Sequence, residues 1–202
     1  MITRTSTQLL ADLHDPAKAD AWGLFSHRYR PIVVAFARRN GLQEANAEDV
    51  AQETMAEFLR AYREGRYDRS RGSRLRDWLK GIAANRVRES LRKRARTKER
   101  QPPDSESQTD FLARVPDEKA LDGWNEEWQT HILSMCLRVA QSEFDSTTSE
   151  AFEMYAVRQI DAADVASHLN MSRNAVYIAK SRVLARLHEL FADYDNPLEA
   201  SP

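Results

Sequence analysis

The sequence contains few of the residues that cross-link or interrupt small folds. Its 202 residues include one cysteine, six glycines and seven prolines. A single cysteine, Cys136, excludes an internal disulfide framework and fits a reducing compartment. The scarcity of glycine, proline and β-branched runs favours an all-α fold. Because no apolar run approaches membrane-spanning length and the first residues lack a signal-peptide core, we expect a cytoplasmic protein without membrane insertion.

Sequence motifs of catalysis and metal binding are also missing. The histidines lie on separate segments, and none is paired with cysteine or carboxylates at metal-ligand spacing; they are His14, His27, His131, His168 and His188. The sequence shows no glycine-rich phosphate loop, nucleophile elbow or metalloprotease helix. We therefore expect no metal, no cofactor and no enzymatic activity of its own.

What the sequence does contain is strongly segregated charge. The net charge of the chain is −1, yet residues 60–100 hold sixteen Lys and Arg against five Asp and Glu. Residues 101–153 reverse this balance, with twelve acidic and three basic residues. A basic stretch so concentrated is typical of a surface that binds nucleic-acid phosphates.

Apolar residues recur at three- and four-residue spacing, which predicts helices. A first helix is expected after Asp15, kinked or split by Pro31 and ended near Gly41. Two more are predicted, from about Ala47 to Arg63 and from near Arg74 onward. With 30% charged residues, the chain needs much solvent-exposed surface, which indicates small domains.

The expected organisation is two small helical domains joined by a flexible linker. The first covers residues 1–96, and the second covers residues 119–202. Residues 97–118 contain prolines and many polar side chains with almost nothing to bury, which is typical of a linker. After it, a stripe that includes Trp124 and Trp128 predicts a further helix.

The last part of the chain has the spacing of a helix-turn-helix. Asp161 is suited to cap a short helix, Asn170 to adopt a left-handed turn, and Ser172 to cap a second helix. The second helix would face a DNA major groove, with these outward residues: Ser172, Arg173, Asn174, Tyr177, Lys180 and Ser181. A purely structural two-helix corner is the alternative, because any short corner needs a cap and a small residue.

Three passages together resemble bacterial RNA polymerase sigma factors of the two-domain extracytoplasmic-function (ECF) group. The first domain of that family is similar to RYRPIVVAFARRNGLQEANAEDVAQETMAEFLRAY, and its closing basic helix to LRDWLKGIAANRVRESLRKRAR. The second domain resembles DAADVASHLNMSRNAVYIAKSRVLARL. The resemblance implies a sigma factor that binds core RNA polymerase, directs it to specific promoters and assists their melting.

The resemblance also implies partners and sites. Asp49, Gln52, Glu53 and Ala56 would dock on the clamp helices of the largest polymerase subunit, although a solvated acidic face is the local alternative. The second domain would contact the polymerase flap, and an anti-sigma factor is a further possible partner. The implied contacts to the downstream promoter element are Tyr67, Arg69, Ser70, Arg71, Arg74, Asn85, Arg86, Arg88, Arg92, Lys93 and Arg96.

The upstream element would be read by the helix-turn-helix. The family usually carries basic residues where this chain has Tyr177 and Ala179, so the contacts are expected to shift to Arg173, Lys180 and Arg182. Two other classes stay open. One is a helix-turn-helix repressor or activator that acts without core polymerase, and the other is a recombinase or nuclease, which lacks a convincing nucleophile or carboxylate cluster.

Overall fold

Each described segment of the chain is a helix or a short connection between helices. The fold is taken from a computed structural model that describes residues 6–67, 74–99 and 121–195. No strand occurs within these ranges, which confirms the predicted all-α class. None of the described helices is long and apolar enough to cross a membrane.

The chain divides into two compact units, Met1–Gln129 and Thr130–Pro202. Among the described residues of the first unit there are four complete helices, which are α1 (Ser6–Leu13), α2 (Ala19–Arg39), α3 (Glu44–Arg63) and α4 (Leu75–Glu99). Its core is built where their apolar stripes meet, around the fully buried Phe25, Phe36 and Phe58. Burying one such side chain contributes about 1.5–3 kcal/mol, so the shared core is what holds these charged helices together.

Of the two effects predicted for Pro31, a kink or a split of the first helix, the split is wrong. Helix α2 continues from Ala19 to Arg39 with Pro31 inside it. The ring of Pro31 lies on the exposed side, whereas Ile32, Val33 and Phe36 after it are fully buried. Packing on both sides of the proline therefore offsets the lost backbone hydrogen bond, which on its own would favour a break.

The predicted helix ends are close to the observed ones. Gly41 has φ +90°, and the turn that it forms ends α2 as predicted. Helix α3 starts at Glu44, one turn before the predicted start. Helix α4 continues to Glu99, three residues into the predicted linker; the rest of that linker lies outside the described residues.

Tyr62 joins α3 to α1. Its hydroxyl donates a hydrogen bond to the backbone oxygen of Leu10 at 3.1 Å. Burial raises the pKa of the Tyr62 phenol to about 12, and the neighbouring Tyr67 adds to that shift. The folded state thus keeps the phenol protonated at a pH where the unfolded chain loses the proton, so ionisation works against folding.

We expect the unfolding free energy to fall as the pH rises from about 10 to about 12, because the unfolded state releases the Tyr62 proton first. Urea unfolding at about pH 9 and about pH 11 measures this loss. Tyr62→Phe should cost about 1 kcal/mol at neutral pH, since the Leu10 carbonyl loses its donor. An equally steep loss of stability with pH in Tyr62→Phe would contradict the assignment.

The second unit is built from the helices that follow. Helix α5 (Trp124–Glu143) begins in the first unit and ends in the second. It is followed by α6 (Ser146–Phe152), a π-helical turn (Glu153–Val157), α7 (Ala162–His168) and α8 (Arg173–Asp195). Buried residues of α6, α7 and α8 form an apolar cluster, in which Ala151, Val165, Ala166, Val176 and Ala179 meet.

The corner between α7 and α8 has the local geometry that its sequence predicts. The Asp161 carboxylate accepts from the backbone N–H of Ala163 at 2.8 Å, and the Ser172 hydroxyl accepts from that of Ala175 at 3.1 Å. Asn170 has φ +51°, the predicted left-handed conformation. The two caps therefore fix where α7 and α8 begin, and the left-handed Asn170 shapes the turn between them.

Candidate protein and nucleic-acid interfaces

One face of α3 carries exposed polar residues and a small one. Asp49, Gln52, Glu53 and Ala56 are all exposed, as predicted, while Val50, Thr54 and Phe58 on the other side are buried. Their spacing of three and four residues places the four on a single face of the helix. We call this set the α3 face. The small Ala56 at one end lets a partner helix approach closely, and the side chains of Asp49, Gln52 and Glu53 offer hydrogen-bond acceptors.

A shallow groove continues the α3 face toward the end of the helix. It is lined by Trp22, Ala56, Leu59, Arg60, Arg63 and Glu64. The charge along α3 therefore changes from acidic at Asp49 and Glu53 to basic at Arg60. A partner helix with a basic end and an acidic end would therefore bind α3 in one orientation, with its basic end at Asp49 and Glu53 and its acidic end at Arg60.

Arg86 joins α4 to α3 through carboxylates. Its guanidinium lies 2.6 Å from Glu57 and 2.8 Å from Glu89, and 4.0 Å from Glu53 of the α3 face. The hydrogen bond to Glu57 raises the pKa of Arg86, and the charges of the three carboxylates act in the same direction, whereas burial lowers it. The Arg86 charge is thus already matched within the protein, and a phosphate would have to compete with Glu57 for it.

Mutation of Arg86 and mutation of Arg92 should affect different properties, the first the stability of the fold and the second the salt dependence of DNA binding. Arg86→Ala should lower the unfolding free energy by about 1 kcal/mol, a reduced value because the partly exposed pair is screened by solvent. It should leave the salt dependence of DNA binding unchanged. Arg92→Ala should leave stability within about 0.5 kcal/mol and weaken the salt dependence. Urea unfolding and DNA titrations at several salt concentrations test both; identical behaviour of the two variants would refute the distinction.

A stripe of basic residues runs along α4 beside Arg86. Asn85, Arg88, Arg92 and Arg96 recur every three or four residues, and Lys93 lies beside them. Asn85, Arg92, Lys93 and Arg96 are exposed, and Arg88 is half-buried. We call these five residues the α4 stripe. Arg74, also exposed, immediately precedes the helix.

Within the α4 stripe, one arginine is held by its own helix. The Arg88 guanidinium donates to the Ala84 backbone oxygen at 3.2 Å and to the Asn85 side-chain oxygen. Both of these hydrogen-bond partners are neutral groups. A row of positive charges along one helix side suits the regular spacing of phosphates on a nucleic-acid strand.

An aromatic pair lies at the start of α4. The Trp78 ring is 5.0 Å from Tyr67 and 4.9 Å from Phe58, and both Tyr67 and Trp78 are half-buried. Beside Trp78 is a groove lined by Asp77, Trp78, Gly81, Ile82 and Asn85. Tyr67 thus packs on Trp78, and the pair borders the beginning of the α4 stripe. The other predicted loop contacts, Arg69, Ser70 and Arg71, lie outside the described residues.

The sequence did not predict that the tryptophans after the linker belong to the first unit. Trp124 packs edge-on against Phe36 at 5.2 Å, and Trp128 stacks on Tyr29 at 5.4 Å. Both indoles are buried. The helical stripe placed them in a domain starting at residue 119, whereas the compact units divide at Gln129. Only aromatic composition hinted at this contact, because the partners are about ninety residues apart in the chain.

Polar contacts hold the same segment on α2. Asn40 accepts from the backbone N–H of Asp122 at 3.3 Å and donates to its backbone oxygen at 3.1 Å. Arg39 pairs with Glu127 at 3.4 Å, and its side chain fills the space next to Gly123. A Cβ on Gly123 would lie 2.1 Å from the Arg39 side chain, which would have to move, and the φ of +86° strains any other residue there. This acidic segment therefore pairs with α2.

The predicted DNA-contacting residues at the start of α8 fall into two groups. Arg173, Asn174, Tyr177 and Ser181 are exposed on the first turns. Others interact with the second unit itself: the Lys180 ammonium lies 5.1 Å above the Tyr155 ring, and the Arg182 guanidinium 5.4 Å above Phe144. Ile178 is exposed among them and was not predicted as a contact; its outward position follows from the buried Val176 and Ala179.

Comparison with protein-family models matches residues 25–97 to Sigma-70 region 2. A search of the curated proteins found no match to the chain. The matched range holds both the α3 face and the α4 stripe. A region 2 domain implies core RNA polymerase and promoter DNA as partners, and a part in promoter melting. Residues 25–97 are therefore similar to sigma-70 region 2, and the match covers about a third of the chain.

Proposed function

We propose that this chain is a two-domain sigma factor of the ECF group, which binds core RNA polymerase, directs it to bipartite promoters and helps to open them. One observation supports this above the others. Within the region 2 match, the α3 face offers a helix-docking surface and the adjacent α4 carries the phosphate-binding stripe. In this role the protein works in the cytoplasm and catalyses no reaction itself; it supplies specificity to the polymerase.

The second unit would be the domain that binds the upstream promoter element and the polymerase flap. Its support is the corner between α7 and α8, where capped helix starts and a left-handed Asn170 present Arg173 and Asn174 outward. The first turns of a second helix in such a corner are the part that reaches base edges in a major groove. The free N–H groups at the start of α8 also favour a nearby phosphate.

In-vitro transcription with purified core polymerase and a promoter library tests the proposal. We expect transcripts only when the chain is present, from templates that share two separated sequence elements. A conventional repressor or activator would bind promoter duplex strongly without core polymerase. If the chain alone binds as tightly as the complex and no transcripts appear, the proposal is wrong.

Arg173→Ala combined with Asn174→Ala should change preference only in the upstream element. Each well-formed bidentate contact contributes about 1–3 kcal/mol of discrimination between bases, so preference there should fall about tenfold or more. Selection from the same promoter library measures the change. Arg158→Ala, an exposed basic residue of the same unit that is paired with Glu153, serves as the control. An effect confined to the downstream element would contradict the domain assignment.

A further inference from the structure

Two large apolar side chains are exposed next to each other near the start of α8. Tyr177 and Ile178 are each 49% exposed. They follow a polar first turn with Ser172, Arg173 and Asn174, and their neighbours Val176 and Ala179 point into the core. The position is the second turn of the helix that we propose to enter a major groove. An apolar contact surface there needs an apolar partner.

Contacts within the second unit fix this apolar surface. The Tyr177 ring meets the Tyr155 ring edge-to-face, with centroids 5.5 Å apart and an interplanar angle of 71°. The Lys180 ammonium lies over the same Tyr155 ring. An edge-to-face pair restricts the orientation of both rings, and a cation–π contact favours the position of the ammonium over Tyr155. Tyr177 is thus preorganised, and Lys180 is engaged beside it.

The chemistry of base edges identifies the partner. In the major groove the bases present donors and acceptors, and thymine alone adds an apolar group, its 5-methyl. A polar base edge against Ile178 would lose its hydrogen bonds to water without replacement. A protein partner would need a larger apolar surface, because two side chains make only a small patch. The positive charge of the flanking Arg173 and the backbone N–H groups at the start of α8 also favour a polyanion such as DNA as the partner.

We propose that Tyr177 and Ile178 read thymine 5-methyl groups in the upstream promoter element. The inference rests on the proposed role of the second unit in binding that element, and it adds the identity of a base. Such apolar contacts also explain how a helix that has Tyr177 at this turn, and whose Lys180 lies over Tyr155, can still discriminate between sequences.

Substitution of deoxyuridine for thymine tests the proposal, because it removes only the methyl group. The complex of the chain with core polymerase first selects its preferred upstream element from a library. Each thymine of that element is then replaced singly, and binding is measured by competition. We expect about fourfold weaker binding at one or two positions, the effect of one lost buried methyl.

Variants of α8 connect the effect to these side chains. With Ile178→Ala or Tyr177→Ala, at least one position should bind thymine and deoxyuridine DNA equally. Leu184→Ala is the matched control, because Leu184 is an exposed apolar residue, 37% exposed, further along the same helix. It should keep the fourfold discrimination. Circular dichroism verifies that each variant is folded.

The outcomes separate the inference from the function on which it rests. A selected element without thymine, or discrimination that persists unchanged in both Ile178→Ala and Tyr177→Ala, would overturn the inference while the upstream-binding role stands. If the wild-type complex shows no sequence preference upstream at all, the role of the second unit fails, and the inference with it.

Discussion

Replacing Asp49 and Glu53 by lysine should abolish co-purification of this chain with core RNA polymerase. Both side chains are exposed, with Glu53 61% exposed, and both lie on the α3 face within the region 2 match. Juxtaposing like charges across an interface costs several kcal/mol. Since about 1.4 kcal/mol is a tenfold change in Kd, the affinity should fall by about three powers of ten.

The fold should survive this double reversal. Neither residue is buried, and Glu53 contributes only a 4.0 Å contact to the Arg86 cluster. A charge reversal at such a surface site changes stability by about 0.5 kcal/mol. Asp49→Lys alone leaves the Arg86 cluster intact, because its contacts are with Glu53, Glu57 and Glu89. The single variant thus separates a docking defect from a packing defect.

A variant with the same charge change elsewhere provides the control. Glu44→Lys combined with Glu150→Lys alters two exposed carboxylates outside the α3 face. Glu44 is paired only with the exposed Arg38 in a surface ion pair, which contributes little. We expect this variant to co-purify with the polymerase as the wild type does. Equal binding by the α3-face variant would show that the acidic face is merely solvated.

Replacing Arg88, Arg92 and Lys93 by alanine should weaken promoter opening and flatten its salt dependence. Each phosphate contact releases condensed counterions, so each contact contributes about 0.9 to the slope of log K against log salt on duplex DNA and about 0.7 on a single strand. The three substitutions should therefore make the slope shallower by up to about 2–3. Open-complex formation measured across a salt series gives the slope directly.

The slope is a sharper measure than affinity, because a folding defect lowers affinity at every salt concentration alike. Arg38→Ala is the control; Arg38 is an exposed arginine of the first unit on α2, paired with Glu44. It should leave the slope unchanged. An unaltered slope in the triple variant would mean that the α4 stripe is a solvated surface and that the phosphates are bound elsewhere.

Local features of the fold were largely predictable from the sequence. The exposed and buried sides of α3 follow from apolar spacing, since a helix repeats every 3.6 residues whatever its neighbours are. The caps at Asp161 and Ser172 and the left-handed Asn170 depend on residue types within one turn. The continuity of α2 through Pro31 was not predictable in this way, because distant packing outweighs the local preference.

Long-range pairing decided which predicted site residues remain available to a partner. Composition placed Arg86 with the other arginines of α4, but its carboxylate partner Glu57 is 29 residues away. Lys180 likewise belongs to the outward set by spacing, yet its ammonium lies over Tyr155. The sequence gives the charge of a side chain. The orientation of that side chain depends on which groups of neighbouring elements lie within its reach.

The sequence by itself determined that this protein is all-α, the approximate bounds of α3, the caps of α7 and α8, and which residues form the α3 face and the α4 stripe. These properties depend on periodicity and capping, which act over a few residues. Only the tertiary structure decided that Trp124 and Trp128 complete the first unit, that Arg86 is neutralised by α3, and that Tyr177 and Ile178 form an apolar surface on α8. The contacts of Trp124, Trp128 and Arg86 join residues far apart in the chain, and spacing along the sequence carries no record of them.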